Sequence, residues 1–211
     1  MTAEPTVGRR ERRKAETRER LLVAARALIA DGGVDAVSIG DVTEKADVGF
    51  GTFYTYFESK DALIEAVVAE AMSHTATIIG TRALESDDPA EMASISYRRF
   101  LAYAEDHPAL AAVLLGLPDA ETLFESSLAT LARRVLERGV EAGRFDIADV
   151  ELALTTISAS ALAAMRASLD GRLGPDAGVN GAVMMLRGFG VPDAEAREIA
   201  ARPLPQIDLD G

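Results

Sequence analysis

The chain has 211 residues, 48% of them hydrophobic and 27% charged, with a net charge of −12 and no cysteine. That composition fits an ordinary globular protein with one sizeable core, or a small module fused to a larger one, and it excludes disulfides, thiolate catalysis and most structural zinc sites. No run approaches the roughly 18 uninterrupted apolar residues of a membrane span. The charged N-terminus lacks the basic-then-apolar order of an export signal, so a reducing cytoplasm is the expected home and no membrane partner is expected. Only His74 and His107 remain for acid–base or metal chemistry, 33 positions apart. With no nucleophile–base pair and no clustered ligand set, no catalytic site, metal site or cofactor is expected, and an enzyme reading is set aside.

The charge is unevenly spread. Residues 1–61 hold 10 Lys/Arg against 11 Asp/Glu, and residues 62–211 hold 12 against 23. Arg9–Arg20 carries seven basic and three acidic side chains, a local +4. Such a patch on an acidic protein can seat phosphates while the acidic bulk limits indiscriminate binding. A solvated, fraying terminus accounts for the charge equally well.

The periodicity beyond it is helical. Leu21, Ala25, Leu28 and Ile29 predict a first helix stopped at Gly32–Gly33. Ile39, Val42 and Ala46 predict a short second one, capped by Ser38 with Asp41 three residues on. A third short helix fits between Gly49 and Phe57. Ser59 then caps a long fourth, with Leu63, Ile64, Val67, Val68, Ala71 and Met72 on one face. After Asp87–Asp88–Pro89, Tyr97, Phe100, Leu101 and Ala104 mark a helix closed by Asp106–His107–Pro108. Leu110, Val113 and Leu114 mark a shorter one. Phe124, Leu128, Leu131 and Val135 belong to a helix ending near Gly143. Leu154, Ile157, Ala161, Met165 and Leu169 define another, and Val179, Val183 and Leu186 one more before Gly188–Pro192. A last short helix fits Ala194–Ala201. No alternating pattern points to a sheet. The expected fold class is all-α.

Residues 38–63, SIGDVTEKADVGFGTFYTYFESKDAL, read as a capped helix, a tight turn at Ala46–Gly49 and a second short helix. The spacing suits a helix-turn-helix whose joint is filled by Val42, Ala46, Val48 and Phe53. Its outer side would carry Phe50, Gly51, Thr52, Thr55 and Tyr56. Small and hydroxylated residues let a helix approach phosphates and base edges, and aromatic rings can meet thymine methyls. On physical grounds alone a buried helical hairpin fits these residues as well.

The run from Val48 to Lys60 closely resembles the recognition helix and the start of helix 4 in the TetR family of repressors. Leu21–Leu22, Ala24–Ala25, Gly33, and the Ser38, Ile39, Asp41, Val42 and Ala46 pattern resemble the family's first two helices. The resemblance implies a three-helix DNA-binding domain with a helix-turn-helix over residues 15–60. A flexible basic arm, 1–14, would precede it, and a larger helical domain that dimerises and binds an effector, 61–211, would follow. It implies that Ser38 touches a phosphate while capping its helix. Gly49, Phe50, Gly51, Thr52, Tyr54 and Tyr56 would lie on the DNA-facing side, and Lys60 would hold a phosphate. Two positions depart from the family pattern. Asp47 stands where Gly is frequent in a turn of uncommon backbone, and Gly49 where Ser or Thr usually caps.

The implied function is a transcriptional regulator, a repressor of operator DNA released by a small molecule. A DNA binder without an effector, or a helical interaction module, is the alternative. Residues 152–169, rich in Ala, Ser and Thr, permit close helix–helix approach, as between two subunits or as a helix buried within one. The resemblance implies a homodimer held by the last two long helices, which makes 176–189 the partner. Candidate effector contacts are Met72, Phe100, Tyr103, Leu114, Phe124, Leu128 and Met165. Few charges converge there, so an apolar or aromatic effector is expected.

Overall fold

The computed structural model describes residues 8–83, 86–117 and 120–205, with their side chains apart from those at 75, 78, 79, 81–83, 121, 124–127 and 129. The described residues form helices joined by short turns, with no strand among them. The chain divides into two compact units, residues 1–68 and 69–211.

In the N-terminal unit, α1 (Arg9–Gly32) presents Leu21, Leu22, Ala25 and Ile29, all fully buried. Burial of a Leu or Ile side chain contributes about 1.5–3 kcal/mol, and this stripe forms the floor for α2 (Ile39–Lys45), against which α3 (Phe50–Phe53) packs in turn. α1 begins earlier than expected. Arg9–Lys14, read as part of a flexible arm, is helical, and the rest of that arm, residues 1–7, lies outside the described residues. The stretch has no apolar stripe to announce a helix. Its Arg, Lys and Glu are good helix formers, and the Gly8 amide donates to Glu11 Oε2 at 3.2 Å to start the first turn.

α4 (Lys60–Ala83) starts in this unit, where the Ser59 hydroxyl caps it by accepting from the Ala62 amide at 3.0 Å. The division between units falls within α4, after Val68, rather than at its first turn.

The C-terminal unit is built around α5 (Pro89–Asp106), against which α7 (Ala120–Glu141), α8 (Val150–Leu169), α9 (Ala177–Gly188) and α10 (Asp193–Ala201) all pack. α6 (Pro108–Gly116) joins α5 to α7 and lies on α8. α5 can take the centre because Ala90, Ala93, Tyr97, Phe100, Leu101 and Ala104 bury around much of its circumference. Asp88 caps it, accepting from the Ala90 amide at 3.0 Å, and Pro89 occupies the first turn, where its missing N–H costs nothing.

The Asp88 carboxylate also receives Arg144 Nε at 3.0 Å, and Arg144 reaches Glu195 at 2.7 Å. One guanidinium thereby ties the start of α5 to the α7–α8 turn and to α10. Gly139 on α7 lets the Phe145 ring fold back onto the helix: a Cβ there would stand 1.9 Å from Cδ2 of Phe145.

Candidate nucleic-acid interface and effector cavity

The helix-turn-helix is assembled from local signals. The Ser38 hydroxyl accepts from the Asp41 amide at 3.1 Å and meets the Asp41 carboxylate at 2.6 Å, which fixes the start of α2. Val42 and Phe53, fully buried, and Ala46, nearly so, fill the joint, while Val48 is half-buried. At the turn Asp47 adopts φ 51°, the left-handed conformation expected of this position.

Arg20, on α1, holds that turn from below. Its Nη2 donates to the carbonyls of Ala46 and, at 2.6 Å, Asp47. Arg18 stacks its guanidinium 5.4 Å from the Phe57 ring centre. Two of the seven basic residues counted as a phosphate-seating patch therefore brace the fold. Arg9, Arg10, Arg12, Arg13 and Lys14 remain exposed along the first turns of α1.

α3 is a single turn, Phe50–Phe53, shorter than the span expected up to Phe57. Residues 54–56 continue as turns, bonded Thr55 N to Thr52 O at 3.1 Å and Tyr56 N to Phe53 O at 2.9 Å. The helix lacks a side-chain cap because Gly49 has none to offer. Phe53 anchors the segment. Its ring packs 5.8 Å from Phe57 inside and 5.3 Å from Tyr54 outside.

Above that anchor Phe50 is 56% exposed and Tyr54 54% exposed, their rings meeting edge-on at 6.0 Å. Gly51, Thr52 and Thr55 are exposed beside them, as are Ser38 and Gly49, while Tyr56 and Lys60 are half-buried. A side chain at Gly51 would meet nothing within 4 Å, so internal packing does not demand glycine there. Every residue singled out for DNA contact is thus exposed or half-buried in the N-terminal unit. Around α3 the exposed surface offers an aromatic pair, hydroxyls and an open glycine, suited to a surface of bases and phosphates.

In the C-terminal unit an apolar cavity of about 70 Å³ lies between α5, α7, α8 and α9. Phe100, Leu128, Ile157, Met185 and Phe189 form much of its wall, and the hydroxyl-bearing residues Ser96, Tyr97 and Ser158 complete it. No charged side chain lines it among the described residues. Ser96 donates to the Met92 carbonyl at 2.9 Å. Burial pushes the Tyr97 phenol above its usual range, and a hydrogen bond with Ser160 partly offsets this, so the group is neutral at physiological pH.

Of the effector contacts expected from sequence, Phe100 and Leu128 line this cavity. Met72, Tyr103, Leu114 and Met165 are buried but do not form its wall, and the side chain of Phe124 lies outside the described residues. Tyr103 stacks on His107 at 4.5 Å, which gives that histidine a place at the end of α5. The residues missed include the large side chains of Tyr97, Ile157 and Phe189 as well as Ala93, Ala132 and Met185. The apolar stripes that hold Tyr97 and Ile157 were the available signal.

Comparison with known proteins agrees across both units. Residues 21–67 match the family model described as bacterial regulatory proteins, tetR family, and residues 88–202 match the tetracyclin repressor-like C-terminal domain. The HTH-type transcriptional regulator YvdT of Bacillus subtilis is 46% identical over 57 residues, 27% of this chain and 29% of that protein. The HTH-type transcriptional repressor KstR of Rhodococcus jostii is 46% identical over 54 residues, 26% of each chain. These curated relatives are thus matched over little more than a quarter of their length.

A crystal structure of RolR in complex with resorcinol matches over 93% of this chain and 99% of its own, with 37% identity and a TM-score of 0.83. FadR of Bacillus subtilis in complex with stearoyl-CoA shares the fold, at 16% identity over 81% of this chain and 98% of its own, with a TM-score of 0.65. On these matches, and on the helix-turn-helix they cover, the chain belongs to the TetR family of bacterial regulatory proteins.

Proposed function

We propose that the chain is a homodimeric repressor in the cytoplasm that binds operator DNA through α3 and its flanking turns and leaves it when a neutral aromatic molecule fills the C-terminal cavity. The observation that carries the first half is the exposed Phe50–Tyr54 pair seated on buried Phe53. Two large rings held rigidly toward solvent are costly unless a partner covers them. Phe50 is assigned to base edges. Ser38, Thr52, Tyr54, Tyr56 and Lys60 are assigned to the backbone, with Gly49 and Gly51 allowing close approach.

The second half rests on the cavity's chemistry. Placing a carboxylate or phosphate against walls without a charged partner carries a large desolvation cost. A neutral ring meets no such cost. RolR, which binds resorcinol, is similar along nearly the whole chain, so small hydroxylated aromatics are the first class to test.

Dimerisation is assigned to the outer faces of α8 and α9. α8 has a mean hydropathy of 1.3 over its most apolar stretch, yet only 33% of that stretch is buried. Leu152 is 64% exposed, Met184 on α9 is 73% exposed, and Thr155, Thr156, Ala159, Ser160 and Ala163 continue the α8 face. A second copy of the chain would cover this surface with close helix–helix contacts.

The test is an electrophoretic shift on DNA upstream of the chain's own gene, run across salt concentrations with and without resorcinol. Binding that weakens steeply with salt, and further with resorcinol or a related phenol, is the expected result. Binding with no response across a panel of neutral aromatics would remove the effector half. No sequence-preferring binding at any salt would remove the whole reading in favour of a helical interaction module.

A further inference from the structure

Tyr97 stands where two features of the C-terminal unit meet. Its ring is part of the cavity wall, and it is only 9% exposed. Its tip lies against α9. On the α9 side a Cβ at Gly181 would lie 2.4 Å from Cε1 of Tyr97 and 2.7 Å from its hydroxyl oxygen, so a methyl group there would force the ring to move. On the α8 side Ser160, exposed on the face described above, donates to the carbonyl of Ile157, which lines the cavity, at 2.9 Å.

We propose that Tyr97 couples the cavity to the α8–α9 face: an occupant displaces the ring outward, against Gly181 on α9, and so weakens the pairing of two subunits. The inference rests on the reading of that face as the subunit contact and of the cavity as the effector site. The ring is rigid, and Gly181 stands close against its tip. Moving its cavity-facing edge therefore disturbs that contact, because packed interiors shift between discrete arrangements rather than deform freely. Ser96, whose hydroxyl bonds within its own helix at Met92, offers no such route. Coupling of this kind is reciprocal, so dimerisation must also weaken binding in the cavity.

The experiment uses the full chain and benzene, a small neutral ring that dry apolar cavities take up. Benzene binding is followed by calorimetry, and the dimer dissociation constant by sedimentation with and without benzene. In the wild type benzene is expected to raise that constant about fivefold or more. In Tyr97→Ala, compared at benzene concentrations that saturate its own cavity, the shift should fall below the roughly fivefold lower end of typical couplings. Tyr97→Phe keeps the ring and removes the hydroxyl that stands against Gly181. Its shift should lie between the two, which preserves the test if the alanine variant does not fold.

Gly181→Ala, outside the cavity wall, should lower benzene affinity severalfold by pressing the ring inward. An equal shift in wild type and both Tyr97 variants, an unshifted wild-type dimer with benzene bound, or unchanged benzene affinity in Gly181→Ala would overturn the coupling. A wild-type chain that stays monomeric, or takes up no benzene, would overturn the functional reading along with it. A coupled dimer whose operator affinity ignores benzene, phenol and resorcinol would leave Tyr97 its role and remove only the proposed induction.

Discussion

Asp47 holds the one positive φ among the described non-glycine residues, 51°, at the point where the two helices of the reading head part. The left-handed conformation costs a residue with a Cβ about 1–2 kcal/mol, less for Asp than for most. The side chain returns little: its contact with Arg20 is 3.5 Å long and the carboxylate is fully exposed, a geometry of small worth. Arg20 instead grips the backbone carbonyls, which any residue supplies. Asp47→Gly should therefore stabilise the N-terminal unit by about 0.5–1 kcal/mol. Asp47→Val should destabilise it by more than about 1 kcal/mol. Arg20→Ala should cost about 1.5–3 kcal/mol, as hydrogen bonds from a charged donor do. Chemical denaturation followed by circular dichroism reads all three.

On the side proposed to face DNA, Phe50→Ala should relax preference at particular bases by about 1–3 kcal/mol. Tyr54→Ala and Lys60→Ala should weaken all sequences alike and flatten the salt dependence. Fluorescence anisotropy on matched and scrambled duplexes separates the two behaviours.

Helix by helix, the chain is held by contacts of very different sequence range, and this decides what the sequence reveals. α2, α4 and α5 are legible at their starts because Ser38, Ser59 and Asp88–Pro89 act within three residues of themselves. The start of α1 is hidden because Arg9–Lys14 is helical by propensity, with no apolar stripe to reveal it. α3 reads as too long because aromatic residues at 54–57 keep the pattern while the backbone has already left the helix. The cavity is the least legible feature. Met72, Leu114 and Met165 repeat at helical spacing just as Phe100 and Leu128 do, and which stripe faces a gap depends on how several helices meet.

Two predictions belong to this scale. Gly139→Ala places a methyl group on the Phe145 ring, and overpacking of this kind should cost about 1–3 kcal/mol and lower the melting temperature of the C-terminal unit. The second concerns acid. Burial pushes the Asp88 carboxyl up, but hydrogen bonds from Arg144 and the Ala90 amide, with the nearby positive charge of Arg144 and Arg202, prevail and hold it below its ordinary value. A carboxyl lowered in the folded state contributes its full stabilisation above its unfolded pKa, about 3.9, and loses it as the pH falls through the folded value. The C-terminal unit should therefore lose stability below about pH 4, and Asp88→Asn should flatten that part of the profile. Urea midpoints between pH 3 and 7 test this.

At the scale of the whole molecule, the N-terminal unit carries nearly balanced charge and the remainder most of the net −12. An acidic body attached to a reading head with a basic first helix turns away from random DNA unless the head is correctly seated. One single-turn helix per chain offers few contacts to bases, so the proposed specificity requires two heads on one duplex, with the outer faces of α8 and α9 as the proposed means of pairing. Two-fold pairing dictates a two-fold site, its halves lying on one face of the DNA about 34–36 Å apart or a multiple of that. In vitro selection from a random DNA pool, followed by hydroxyl-radical footprinting of the enriched sequences, tests this most directly. The account predicts a pseudo-palindrome with two protected half-sites on one face of the helix, lost in Phe50→Ala. Enrichment of a single asymmetric half-site, or of no sequence at all, would contradict it.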